Sequence, residues 1–174
     1  LLITPPFSSA VAVAEEHDNQ KAVLITGATS GIGLRIAERL ASEGYFVYAG
    51  ARKQEDNDRL NKIDNIEAVR LDVTAQQDID AAVKHIRDAG RGLWGLINNA
   101  GVFIGGPVTD VSVEETMWLF DVNVFGVYRV TQAFAPLIID SKGRISTIGS
   151  ISGVGSSRFF SQYSMSKHAM EAFT

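Results

Sequence analysis

"KAVLITGATSGIG", Lys21 to Gly33, decides how the rest of the chain is read. Lys21–Thr26 is a short apolar run rich in β-branched residues, and glycines follow at 27, 31 and 33. The next stretch, Gly31 to Gly44, places Ile32, Ile36, Ala37 and Leu40 on one helical face and closes on a glycine suited to a C-cap. The pattern is therefore strand, tight turn, helix. It recurs outward along the chain: "YFVYAG" (45–50), a polar helical piece around Gln54–Lys62, "IEAVRL" (66–71), and a helix across Ala75–Ala89 whose Thr74 and Gln77 have capping-box spacing. "LWGLIN" (93–98), a long helix opened by Ser112 with Glu115 three residues on, and "GRISTIG" (143–149) complete the series. The five strand segments are near-continuous apolar runs, which suits a parallel sheet covered on both faces. The expected fold is an α/β doubly wound parallel sheet of Rossmann type.

The first turn carries chemistry as well as topology. Gly27, Gly31 and Gly33 allow a tight turn, and they let a pyrophosphate approach the N–H groups of Thr29, Ser30, Ile32 and their neighbours at a helix N-terminus, where the helix dipole favours negative charge. The spacing differs from the common G-x-G-x-x-G fingerprint, and a glycine-rich turn by itself also serves as a plain connection. No Gly-Lys-Ser/Thr follows the last glycine, which disfavours a P-loop NTPase.

Composition bounds the remaining classes. With 174 residues the chain is long enough for one real core. A net charge of −4 with scattered lysines and arginines builds no basic stripe for nucleic acid. The absence of cysteine excludes disulfides, thiolate metal sites and a cysteine nucleophile, and His17, His85 and His168 stand in no ligand pattern, so no metal is expected. Residues 1–20 form a separate leader. Ala12-Val13-Ala14 has the look of a signal cleavage site, but the segment lacks a positive n-region and Pro5-Pro6 interrupts its apolar run, so a disordered or cloned leader is an equal alternative. No uninterrupted apolar stretch of spanning length appears, no integral membrane span is expected, and the location expected is cytoplasmic, with export as the alternative.

"NNAG" at 98–101, Asn123 in "VNVFG", Ser150 after "STIG", and Tyr163-x-x-x-Lys167 join the Thr26–Gly33 turn in one ordered set. In that order, with 27 residues from Asn123 to Ser150 and 13 from Ser150 to Tyr163, the set resembles the motifs of the short-chain dehydrogenase/reductase family in its shorter, single-domain branch. The match spans Lys21 to Thr174. Residues 21–174 then form a dinucleotide-binding catalytic domain. The resemblance implies an oxidoreductase moving a hydride between NADP(H), or NAD(H), and a small-molecule ketone or secondary alcohol, with a homo-oligomeric parent protein.

The residues support that chemistry in their own right. Tyr163 and Lys167, at i and i+4, share one helix face, and an ammonium held beside a phenol stabilises the phenolate. Tyr163 is the candidate general acid for carbonyl reduction and general base for alcohol oxidation, while a cofactor carries the hydride. Ser150 follows a strand's carboxyl end, where its hydroxyl can donate to a substrate oxygen. "IGSIS" lacks the final glycine of a hydrolase nucleophile elbow. Asn123, an amide in an apolar helical stretch, must find partners there; the resemblance gives it a water-holding role in a proton relay to the lysine, and a helix-kinking or backbone-bonding amide is the competing account.

At the end of the second strand the sequence has Ala51-Arg52 where NAD-preferring relatives resemble one another in carrying an acid. Arg52 could pair with a 2′-phosphate, which favours NADP. By resemblance Asp72 reaches the adenine amino group, and Asn98, Ala100 and Gly101 line the adenosine side, with Asn99 tying strands together. Tyr163 and Lys167 also face the cofactor.

Phrases such as "YSMSKHAMEAF" are similar to the retinol and hydroxysteroid dehydrogenase side of the family. The family continues by a further strand-helix-strand unit beyond this point, so a C-terminal part is expected to be missing, and Phe159, Phe160, Met165, Met170 and Phe173 are expected to lie exposed. Two rival classes stay open. One is a catalytically inactive nucleotide-binding fragment or regulator, the other a sugar-nucleotide epimerase or dehydratase of the longer branch.

Overall fold

The computed structural model describes residues 20–173; the leader expected over residues 1–20 lies, but for Gln20, outside them. Five strands form one sheet: β1 (Ala22–Ile25), β2 (Phe46–Ala51), β3 (Ile66–Arg70), β4 (Gly95–Asn98) and β5 (Arg144–Thr147). All four pairings are parallel and the spatial order is β3-β2-β1-β4-β5. The chain thus winds outward from β1 to β3, then returns to the other side of β1. Between β1 and β4 lies the switch point at which open parallel sheets bind ligands.

Both faces of the sheet are covered. Leu24, Tyr48 and Leu96 point to a core layer shared with α3 (Gln76–Asp88) and α5 (Val127–Asp140), through Ile79, Ile86, Val130 and Phe134. Val23, Ile25 and Val47 point the other way, to Ala37 and Ala41 of α1 (Gly31–Ser42) and Leu60 of α2 (Gln54–Leu60). Neighbouring strand residues alternate between two apolar layers, which is why the strands read as unbroken apolar runs. β5 is the exception: Arg144, Ile145 and Ser146 are exposed on a strand that, among the described residues, pairs only with β4.

The long helix is continuous from Val113 to Asp140 but changes character in the middle. It comprises α4 (Val113–Phe120), a π-helical segment Asp121–Gly126, and α5. Ser112 and Glu115 form the expected capping box: the Glu115 N–H donates to Ser112 Oγ (3.0 Å) and the Ser112 N–H to Glu115 Oε2 (2.9 Å). By length and composition Val113–Asp140 would suffice to cross a membrane. Val130, Phe134 and Ile138 of this helix are buried against the sheet, whereas Val113, Met117, Phe125 and Ile139 are exposed. After β5 a short 3₁₀ turn (Ile151–Gly153) leads to α6 (Ser161–Phe173).

Three expectations need correction. Ile32 is not on the buried face of α1 but 61% exposed, because the first turn of that helix borders a cleft instead of the core. Thr74 and Gln77 form no capping box: Ala75 is the N-cap of α3, and the Thr74 hydroxyl and N–H both donate to Asp72 Oδ1 (2.7 and 2.9 Å). Met170 is only 3% exposed; with Gln162 and Ser166 it makes the inner face of α6. Phe159, Phe160, Met165 and Phe173 are exposed.

Candidate active site

The turn after β1 is held open from three sides. Gly27 (φ +64°) and Gly31 (φ +54°) occupy the left-handed region, and a Cβ on Gly27 would approach Ala100 Cα to 2.9 Å. On Gly33 a Cβ would overlap Asn99 Nδ2 and stand 2.5 Å from the Gly27 carbonyl oxygen. Asn99 Nδ2 donates to the carbonyls of Thr26 (2.9 Å) and Gly27 (3.0 Å). The buried Thr26 hydroxyl accepts from the N–H groups of Asn99 (3.0 Å) and Ala100 (2.9 Å), and the Ala28 N–H donates to the Gly50 carbonyl (3.0 Å). The ends of β1, β2 and β4 are thereby locked together. Ser30, the N-cap of α1, makes no side-chain cap bond. The first N–H groups of that helix therefore remain for a ligand, and a helix N-terminus takes an anion.

These groups border a cleft of about 440 Å³ across the switch point. It collects Gly27, Thr29, Ser30, Ile32 and Gly33 from the turn, Arg52 after β2, Asp72 after β3, and Ala100 and Gly101 after β4. Gly31 is not among its lining residues. Nor is Asn98, which is buried and donates through Nδ2 to Thr131 Oγ1 (2.9 Å), tying β4 to α5. Burial works against ionisation of Asp72, but the two bonds from Thr74 and the charges of Arg52 and Arg70 outweigh it and hold the carboxyl below its ordinary value. Arg70 Nη1 also donates to the Arg52 carbonyl (2.8 Å) and fixes the loop after β2. Sequence reasoning missed Trp118 and Val122, brought to the cleft by the long helix. It also missed Arg59 of α2, whose guanidinium donates to the Thr29 carbonyl (2.6 Å). No local signal marks these residues, since all depend on helix docking.

Tyr163, Lys167, Ser150 and Asn123 lie beyond the lining of this cleft, at the same end of the sheet. On α6 the Lys167 ammonium sits 5.8 Å from the centre of the Tyr163 ring and donates to the Ile148 carbonyl just past β5 (2.8 Å). Burial lowers the pKa of Lys167, and the nearby Glu171 carboxylate opposes that shift. Ser150 caps the 3₁₀ turn, its Oγ accepting from the Ser152 N–H (3.1 Å), so its own O–H is left to donate elsewhere. That turn packs on α6; a Cβ on Gly153 would lie 3.1 Å from the Lys167 carbonyl oxygen. The Tyr163 ring stands edge to face with Phe103 (5.1 Å, 68°).

Asn123 uses its whole amide. In the π-helical segment, its Oδ1 accepts from the Val102 N–H (2.8 Å), and its Nδ2 donates to the Val102 carbonyl (2.9 Å) and Ser166 Oγ (3.2 Å). Ser166 donates in turn to the Tyr163 carbonyl (2.8 Å). The side chain therefore ties the loop after β4 to α6.

Residues 21–174 match the family model described as short chain dehydrogenase. Bovine mitochondrial D-beta-hydroxybutyrate dehydrogenase is 37% identical, with all of this chain and 55% of that protein covered. Among solved structures, an actinorhodin polyketide ketoreductase variant with NADPH superposes with a TM-score of 0.84 at 32% identity, covering 90% of this chain and 63% of that one. A short-chain dehydrogenase/reductase from Burkholderia phymatum in complex with NAD gives 0.83 at 29% identity, with coverage of 90% and 58%. The chain spans about half the length of the curated relatives it matches. With the family model matched from the first strand to the last residue, and the fold shared with solved members, this chain belongs to the short-chain dehydrogenase family.

Proposed function

We propose that this chain supplies the nucleotide cleft and the proton-transfer group of an NADP(H)-dependent oxidoreductase acting on a ketone or secondary alcohol. The observation that carries it is the pairing, at one end of one sheet, of an uncapped helix N-terminus walled by glycines with a Tyr163–Lys167 pair packed on the Ser150 turn. The cradle fits a dinucleotide: a side chain at Gly27 would collide with Ala100 and one at Gly33 with Asn99, so only glycine keeps the turn tight at the helix N-terminus that borders the cleft. A bound nicotinamide supplies or accepts the hydride. Tyr163 gives the proton to the reduced oxygen or takes it from the alcohol, Ser150 donates to the same oxygen, and Lys167, anchored on Ile148, keeps a positive charge beside the phenol. Asn123 acts as a positioning residue. By holding Val102 and Ser166 it sets the distance between the loop after β4 and the helix that bears Tyr163.

Cofactor preference rests on the loop after β2. Ala51 offers no carboxylate to ribose hydroxyls, Arg52 borders the cleft, and relatives bind either NADPH or NAD. Support for a homo-oligomeric parent comes from the exposed Met117, Phe125 and Met165, which share an apolar groove between α4 and α6.

The test is Tyr163→Phe in the full-length protein, with NADPH binding followed by fluorescence and turnover by NADPH consumption with a ketone. Binding persists within about threefold, while the rate falls by the factor of about 10²–10⁴ that general acid catalysis contributes. Retained turnover would show that another group moves the proton. Binding with no turnover in the wild type would favour the nucleotide-binding regulator instead.

A further inference from the structure

Two loops meet at Tyr163 and present an aromatic surface that cofactor binding does not explain. After β4, Val102-Phe103-Ile104-Gly105 runs past the cleft, and Phe103 stands edge to face with both Tyr163 (5.1 Å) and Phe160 (5.1 Å). Before α6, Phe159 adopts φ +65°, a conformation that a bulky residue holds only when its surroundings impose it. What imposes it is visible: the Gly106 N–H donates to the Phe159 carbonyl (2.8 Å), and a Cβ on Gly105 would approach that oxygen to 3.1 Å and the Phe103 ring more closely still. The strained peptide latches one loop to the other and sets the three rings in one wall. Phe103 (55%), Phe159 (57%) and Ile151 (82%) nevertheless expose much of their apolar surface, and Ile151 directly follows Ser150. Arg158 is the one charged residue in these loops, 101–107 and 150–160.

From this placement we infer that Phe103 and Phe160 form a specificity-determining wall beside Tyr163, and that the substrate is a ketone or secondary alcohol on a bulky apolar skeleton instead of a short hydroxy acid. The inference rests on the oxidoreductase reading above and adds the substrate class. Tyr163 and Ser150 fix where the reacting oxygen must sit. The exposed ring faces then meet the carbon skeleton attached to it, and each apolar contact made there removes surface from water. A short carboxylated substrate would leave the wall wet, and Arg158 is the one cation of these loops that could pair with it. Phe103 has a second effect, because its edge contact limits the Tyr163 ring to one orientation.

The experiment uses the full-length protein with NADPH and a ketone series: 2-butanone, cyclohexanone, 2-decalone and acetoacetate. The wild type should show kcat/KM rising at least tenfold from 2-butanone to 2-decalone, with acetoacetate below 2-butanone. Phe160→Ala should lower kcat/KM for 2-decalone about tenfold, mainly through KM, and change 2-butanone less than threefold. Phe103→Leu keeps an apolar side chain while removing the ring contact; it should lower kcat for every ketone as well as raising KM for the bulky one. A flat size series, or acetoacetate as the best substrate, overturns the inference. If the flat series still collapses in Tyr163→Phe, the oxidoreductase reading stands and only the apolar wall is wrong. If Tyr163→Phe turns over every ketone normally, that reading itself fails.

Discussion

Gly33 offers the sharpest test of how the nucleotide turn is built. An alanine there would place its Cβ on Asn99 Nδ2 and 2.5 Å from the Gly27 carbonyl oxygen, so the Asn99 amide has to leave. Its departure removes the donors to the Thr26 and Gly27 carbonyls, bonds of 2.9 and 3.0 Å. At about 1–2 kcal/mol for each bond lost in a partly buried site, the cost is about 2–4 kcal/mol. The better helix propensity of alanine returns at most about 1 kcal/mol, leaving a net loss of about 1–3 kcal/mol. Gly31→Ala meets open space but a φ of +54°, and so costs about 1–2 kcal/mol through backbone strain alone. The magnitudes overlap, yet the causes separate in a double-mutant cycle with Asn99→Ala. Gly33→Ala should couple to Asn99 by about 2–4 kcal/mol, since both changes break the same bonds, whereas Gly31→Ala should add within about 0.5 kcal/mol. Urea unfolding midpoints of the full-length protein, at unchanged m-value, read these energies. Additive behaviour at Gly33 and Asn99 would refute the steric account. So would a Gly33→Ala protein that binds NADPH as tightly as the wild type.

Two further predictions concern the cofactor and the core. Arg52→Ala should weaken NADPH binding by about 1.5–3 kcal/mol, the worth of a charge-assisted hydrogen bond, while NADH binding stays within twofold; equal losses in fluorescence titrations would sink the phosphate contact. Tyr48 is fully buried, and its hydroxyl has no hydrogen-bond partner among the described residues, so Tyr48→Phe should stabilise the fold by about 1 kcal/mol. Burial, then the Glu67 carboxylate, push the Tyr48 pKa up from 10.0 to about 12, against the opposing charge of Arg91. The folded chain therefore holds this proton where the unfolded chain releases it. Wild-type stability should fall by about 2 kcal/mol as pH rises from 10 to 12, and urea titrations of the phenylalanine variant should lack that loss.

Strands β1, β2 and β4 were legible because each is short, apolar and followed by a punctuating residue, and burial on both faces leaves little room for other residue types. Where a single helix position or cap had to be placed, competing local bonds decided. The spacing of Thr74 and Gln77 satisfies a capping box, but Asp72, two residues before Thr74, takes both the hydroxyl and the N–H in an Asx-type turn. On α6 the buried residues are Gln162, Ser164, Ser166 and Met170. Three of those four are polar, so no apolar period marks the inner face, and the burial of Met170 is not legible in the sequence. Ile32 fits the helical period of Ile36 and Ala37 but lies in the first turn of α1, where the helix has left its packing partners and meets the cleft.

Asn123 shows why a site residue is easier to find than its role. An amide among Val122, Val124 and Phe125 is a conspicuous cost in sequence, and burial at 2% exposure makes that cost real unless every polar atom is paired. Its partners are a backbone 21 residues upstream and a serine 43 residues downstream, which no local pattern announces. The helix meets this demand by widening to a π-helical turn over Asp121–Gly126. Two bonds then fix Val102, and the next residue in the chain is Phe103, whose ring lies against Tyr163. A third bond passes through Ser166 to the Tyr163 carbonyl. The same amide thus constrains both sides of the Phe103–Tyr163 contact, the loop through its backbone and the helix through Ser166. The loop that carries Phe103 and the helix that carries Tyr163 are consequently held in one register by a single buried side chain.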